Sequence, residues 1–267
     1  MSDFTLPFDL RLCNEMDQHA LLCCQDYNFG NVSDWFSTFR GGLQGFYSRI
    51  QGLQKHFYQV HAWIPSPRTP SDTEYHLSAI LFNMDSAIEC FTFALNALGN
   101  SIYVEGFRDV TDSKSLKQIC PTDVLGDPDR NIPPISGYTK YFPRTQKLWS
   151  RHRDILNIIF DNHDVSKHRE TLYRGGKYRN DPPTGFFEAL GVKDKSAESL
   201  VFTPMAEIVL VPDPKAPRVN REPTPLEDQI LLEEIAIRFC YFINKTVALS
   251  LKDELSNIVP KVKKLRQ

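Results

Sequence analysis

The sequence has no uninterrupted apolar run of bilayer-spanning length, the stretches Leu156 to Phe160 and Ile208 to Val211 being far too short, and on that ground no transmembrane helix is expected. Nor does the N-terminus, Met1 to Leu10, carry a basic segment followed by an apolar one, so no secretory signal is read there and the expected location is the cytoplasm. The six cysteines, Cys13, Cys23, Cys24, Cys90, Cys120 and Cys240, show no CxxC spacing, which indicates neither a zinc site nor a disulfide framework. Cys90 and Cys240 fall in apolar helical patterns, where a reduced thiol behaves as a small hydrophobe. Charge of one sign is also missing: 31 basic side chains stand against 33 acidic ones, which argues against a broad nucleic-acid-binding face. No Walker or dinucleotide glycine loop, GxSxG elbow, HExxH pair or internal repeat occurs. What remains is a globular composition, 267 residues with 41% hydrophobic and 12% aromatic side chains, read as a single domain.

The 18 prolines leave four long gaps, residues 8 to 64, 71 to 120, 144 to 181 and 226 to 259. Proline breaks helix interiors, so long helices belong in the gaps. In the first, Phe36, Phe39, Leu43, Phe46, Ile50, Leu53, Phe57 and Val60 recur at helical spacing from a cap at Ser33 or Asp34 to a stop at Pro65 and Pro67. Gly41, Gly42, Gly45 and Gly52 weaken this helix and point to a close helix approach or a bend. The second runs through Leu77, Ile80, Met84, Ala87, Phe91, Leu95 and Leu98, with Gly99 and Asn100 expected to end it. The fourth gives Ile230, Ile237, Tyr241, Ala248, Leu251 and Leu255, launched by a capping box at Thr224, Pro225 and Glu227 and closed by Pro260.

Between these, residues 101 to 143 suit an extended excursion with one short helix near Ser115 to Ile119. Residues 174 to 225 suit an extended strap with a short helix around Thr184 to Leu190. Within the strap, Ala206 to Val211 reads as a strand, at a sheet edge because prolines surround it. The expected fold is mainly α: a bundle of four or five long helices with that strap and a short strand or hairpin. Apolar residues around the last helix, Phe239, Tyr241, Phe242 and Ile243, suggest a homodimer face.

The third gap carries the candidate site. As one helix over 144 to 173, it has an inner stripe of Ile155, Ile158, Val165 and Leu172, on which Asn162 and Arg169 also fall. An inward Arg169 needs a carboxylate or a ligand oxyanion as partner. Glu234, four residues after Ile230, and Asp85, beside Met84, are the candidates, with Asn244 on the same stripe of the last helix. Three readings stay open: a structural Arg169 to Glu234 ion pair, a binding pocket built on Asn162, His163, His168, Arg169 and Glu234, or a helix that breaks near Asp161. His163 with Lys167 could present a basic face to phosphate, and Asp164 with His168 an oriented imidazole or two metal ligands. No third ligand is identified, so no metal or cofactor is assigned. The basic tail Lys261, Lys263, Lys264 and Arg266 reads as a solubilising end.

The long helices and the Asn162 to Arg169 run resemble the HEPN superfamily, over Tyr75 to Tyr173. The resemblance implies a helical bundle that binds or cleaves RNA in a defence or toxin system. In the cleaving members an Arg precedes a His at short spacing, and the pair here with that spacing is Arg49 and His56. The leading expectation is a ligand- or partner-binding protein. The alternative implied by the resemblance is a metal-independent ribonuclease, with His168 or His163 as general acid or base and Arg169 or Lys167 stabilising charge. A metal-dependent hydrolase built on Asp164 and His168 is a further alternative.

Overall fold

The computed structural model describes residues 6–26, 32–61, 70–103, 105–109, 118–168, 173–175, 178–179, 201–202, 208–212, 223–225 and 232–256. The protein is mainly α. Three long helices open it: α1 (Arg11–Asp26), α2 (Val32–His61) and α3 (Pro70–Tyr103). Cys13, Met16, Ala20 and Cys23 are the buried stripe of α1. That helix was not anticipated, although its three- and four-residue spacing is in the sequence. On α2 the anticipated stripe from Phe39 to Phe57 is buried throughout.

α2 and α3 form an antiparallel pair, since their contacts run in opposite order: Gly42 against Ala94, Gly45 against Cys90 and Gly52 against Asn83. The expectation of a close approach at these glycines holds. A Cβ on Gly42 would stand 3.1 Å from the backbone nitrogen of Ala94, and one on Gly52 2.5 Å from the Asn83 Oδ1. Gly99 and Asn100, expected to end α3, instead lie inside it, and the helix continues to Tyr103. Their roles are tertiary. Gly99 leaves room for the Phe107 ring, which a Cβ would meet at 2.4 Å, and Asn100 Nδ2 donates to the Arg108 carbonyl at 2.8 Å.

Within the Tyr75–Tyr103 stretch of α3, a window of 18 residues reaches a mean hydropathy of 1.2. The stretch is long and apolar enough to cross a membrane by length and composition, which corrects the expectation that no such helix exists. Of that window 56% is buried against the rest of the protein, as in a core helix.

Residues 118–142 hold two short helices, α4 (Pro121–Leu125) and α5 (Ser136–Tyr141), joined by a turn that an Asp127 to Ile132 bridge closes. The helix expected near Ser115 to Ile119 falls largely outside the described residues. The helix expected over 144 to 173 is two: α6 (Pro143–Arg151) and α7 (Arg153–His168). The break is at His152 (φ −102°, ψ 14°), not near Asp161. There the imidazole packs against Phe242 and Tyr241, and the next residue, Arg153, donates to the Gly126 carbonyl at 3.0 Å and to that of Leu125, capping α4.

The last helical segment begins with α8 (Leu232–Ile243) and widens into a π-helix over Asn244–Leu251. Thr224 and Pro225 do not cap it. They belong to a strand, Pro223–Pro225, in which Thr224 lies opposite Val211. That strand and Tyr173–Gly175 flank Ile208–Pro212 in an antiparallel sheet, so Ile208–Pro212 is central and not an edge; its proline sits at the end of the ladder, not within it. A two-stranded ladder pairs Tyr178–Arg179 with Val201–Phe202. The short helix expected around Thr184 to Leu190 lies outside the described residues.

One contiguous core draws on α1, α2, α3, α6, α7 and α8. Its aromatic spine runs from Phe46 of α2 to Phe91 of α3, stacks on Trp149 of α6 and meets the edge of Phe242 of α8. The stripe read for α8 needs correction: Ile237 and Tyr241 are exposed, while Ile235, Ala236, Phe239, Cys240, Phe242 and Ile243 are buried. Both faces of this helix are apolar, so periodicity did not choose between them; packing did. Phe239, Phe242 and Ile243, offered for a homodimer, are spent inside the chain. Asn244 is a tether, accepting from the Asp9 amide at 3.0 Å and donating to the Pro7 carbonyl at 2.6 Å.

Candidate functional site

On α7 the inward face passes through Ile155, Leu156, Ile159, Asn162 and His163, with Ile158 only half-buried. Asn162 is buried as expected, but its Nδ2 donates to the Ile158 carbonyl of its own helix at 2.6 Å, which satisfies the amide locally. His163, 7% exposed, places Nδ1 against Asp85 Oδ2 of α3 and its ring edge-on to Phe82, at a centroid distance of 5.7 Å. Asp85 is therefore a partner, but of His163. Asp164 is exposed. Lys167 and His168 occupy the last turn of α7, their side chains outside the described ones, and Arg169 lies outside the described residues altogether.

Glu234 does not join this group. It is exposed, 3.8 Å from Arg238 one turn along α8, and Arg238 in turn pairs with Asp154. Asp154 lies eight residues before Asn162, about 12 Å along α7. The placement of Glu234 on an inner stripe fails for the same reason as that of Ile237 and Tyr241.

A second polar group, which lies mostly on residues that no site expectation included, runs along the α2–α3 pair. Arg49 donates through Nε to Ser86 Oγ at 3.1 Å and lays its guanidinium 5.2 Å from the centre of the Phe82 ring. Two turns further along α2, His56 meets His76 of α3 with their Nδ1 atoms 3.0 Å apart, and Tyr75 packs edge-on to both rings. One ring must donate an N–H and the other accept on a lone pair, so at least one imidazole of the pair is neutral. Burial, helped by the charge of Lys55, pushes the pKa of His56 down. An open groove of about 460 Å³ lies here, lined by Gln54, Lys55, His56, Tyr58, Gln59 and His76. The signal that could have found it is spacing: Arg49 and His56 on α2, like Tyr75 and Phe82 on α3, are seven apart and share a face.

Other buried polar groups serve the fold. Arg108 holds Asp123 by two 2.7 Å hydrogen bonds, which raises the guanidinium pKa, and Asn96 pins the Arg108 backbone through both its amide and its carbonyl. Glu254 accepts from the Thr145 hydroxyl at 2.7 Å and from the first amides of α6, and its burial raises its pKa. Burial pushes the Cys13 and Cys240 thiols up to about 12, so they are unreactive core residues, in line with the sequence reading.

No protein-family model matches the chain, and neither a curated protein nor a solved structure is significantly similar to it. Among the described residues no three His, Cys, Asp or Glu side chains gather around one point. The α2–α3 face offers imidazoles, amides, a phenol and a lysine beside an open groove; the α3–α7 crossing offers a sealed aspartate–histidine pair.

Proposed function

We propose that this is a helical ligand-binding protein whose site is the α2–α3 groove, and that its ligand carries a phosphate or carboxylate. One observation carries the reading: all six lining residues can donate a hydrogen bond, Lys55 adds a fixed cation, and none is a carboxylate. The site thus moves from α7 to the neighbouring helix pair, with His163 and Asp85 further along the same face of α3. The helices described form, on this reading, the core of a four- or five-helix bundle over which residues 174 to 225 pass as a strap.

The test is a titration with inorganic phosphate and with adenosine monophosphate, in the presence of a chelator, followed by NMR of the imidazole resonances. Shifts confined to His56 and His76, and lost in Lys55→Glu, support the reading. Saturating shifts at His163 alone, or none at millimolar ligand, refute it.

The second reading is the HEPN-like, metal-independent ribonuclease, with Arg49 and His56 in place of residues on α7. Its support is that both side chains leave the same face of α2 towards α3, with His56 at the groove. It requires cleavage of a single-stranded oligoribonucleotide in the presence of chelator, lost in both His56→Ala and Arg49→Ala. A metal-dependent hydrolase built on Asp164 and His168 has no such support among the described residues.

A further inference from the structure

The contact between His56 and His76 has the dimensions of a chelate. Metal–imidazole bonds of about 2.0–2.1 Å put two nitrogens about 2.9 Å apart at a right-angled vertex and about 3.3 Å apart at a tetrahedral one. The Nδ1 atoms stand 3.0 Å apart, inside that interval. They come from different helices, so the separation is set by the packing of α2 on α3, which is close at Gly52, one turn from His56. The rings are inclined at 49° and both border the groove, whose volume of about 460 Å³ admits an ion with its remaining ligands. His163, which unlike the half-buried His56 and His76 is buried, is closed off against Asp85 and Phe82.

We propose that His56 and His76 together bind one first-row divalent metal ion of the imidazole-preferring kind, such as zinc, nickel or copper, with its outward positions open to the groove. The proposal goes beyond the anion-binding reading and stands whether or not the groove takes an anion. Binding balances without a redox partner. The proton on the donating Nδ1 moves through solvent to Nε2 of the same ring, and the two freed Nδ1 lone pairs displace two waters from the hydrated ion. Lys55 is the cation beside the pair; it is exposed, so solvent screens its repulsion of the ion. The open positions hold water, or an anion of the class proposed above.

The experiment is calorimetric titration of the full chain with nickel chloride and, separately, zinc chloride in a non-coordinating buffer free of phosphate. One site per chain is expected, weakened by about a hundredfold in His56→Gln and in His76→Gln, the lower end of what joining two binding groups gives. His163→Gln is expected to retain it. In the unmodified protein, substoichiometric copper(II) is expected to broaden the imidazole resonances of His56 and His76 before those of the others among the seven histidines. Equal affinity in all three variants, or broadening that starts elsewhere, overturns the proposal and leaves the pair a shared-proton contact. Metal binding without phosphate, and phosphate binding with chelator, fail independently.

Discussion

Gly41 and Gly42 are neighbours in the same helix, and the structure gives them opposite fates on mutation to alanine. A Cβ on Gly41 meets nothing within 4 Å, whereas one on Gly42 lies 3.1 Å from both the Cβ and the nitrogen of Ala94 and 3.2 Å from its Cα. In a helix interior the Gly→Ala change is worth about 0.8–1 kcal/mol in propensity. At position 41 that gain should appear undiminished. At position 42 two of the three crowded atoms are backbone, which cannot swing aside as a long side chain can. Overpacking of this kind costs about 1–3 kcal/mol, so the net effect of Gly42→Ala is a loss of up to about 2 kcal/mol. For a chain of this size about 1 kcal/mol moves the thermal midpoint by roughly 2–4 °C. Thermal melts followed by far-ultraviolet circular dichroism should therefore place Gly41→Ala above the parent protein and Gly42→Ala below it. A rise in Gly42→Ala matching that of Gly41→Ala would refute the close α2–α3 approach, and with it the geometry that joins His56 to His76.

Three further outcomes are expected. Burial holds the folded pKa of Glu254 above its ordinary 4.5, so between 4.5 and that raised value the folded state binds more protons than the unfolded one. Its contribution is full below 4.5 and is lost as pH rises through the raised value; Glu254→Gln should flatten this slope in urea midpoints measured from about pH 4 to about pH 8, and an unchanged slope would count against it. Arg108→Ala leaves Asp123, whose side chain is 4% exposed, without its cation; because Arg108 is itself 38% exposed, the expected loss is about 2 kcal/mol, below that of a fully buried pair, and urea denaturation showing no loss would contradict the assignment. Asp85→Leu and His163→Phe should each cost about 1–3 kcal/mol by stranding a partner, while the double variant recovers part of the sum; strict additivity in a double-mutant cycle would sink the pairing.

Helices announce themselves through spacing that needs no knowledge of their neighbours. Proline gaps and three- and four-residue periodicity therefore located α2 to within two or three residues of its start, and α3 through its core stripe. The same rule applied to Cys13, Met16, Ala20 and Cys23 would have found α1. Boundaries were less legible. Gly99 looked like a stop because glycine lowers helix propensity, but what it provides is room for Phe107, a contact invisible along the chain. The break at His152 likewise depends on Phe242 and Leu125, far away in sequence.

The candidate site divides in the same way. That Asn162 turns inward was readable from its seven-residue spacing to Ile155, because a helix fixes which residues share its face. His163, read with Lys167 as a basic face, is buried instead. Which carboxylate would meet α7 was not readable, since that depends on the packing of α3 on α7; Asp85 took the position against His163, and Glu234 went to the surface beside Arg238. The sequence by itself determined that the protein is mainly helical, and it narrowed the glycines of α2 to a close helix approach or a bend. Tertiary structure alone decided which face of α8 is buried, and that His56 and His76, twenty residues apart, stand with their Nδ1 atoms 3.0 Å apart beside an open groove. Periodicity ranks the faces of a single helix, but only the packing of one helix on another brings two side chains to one point.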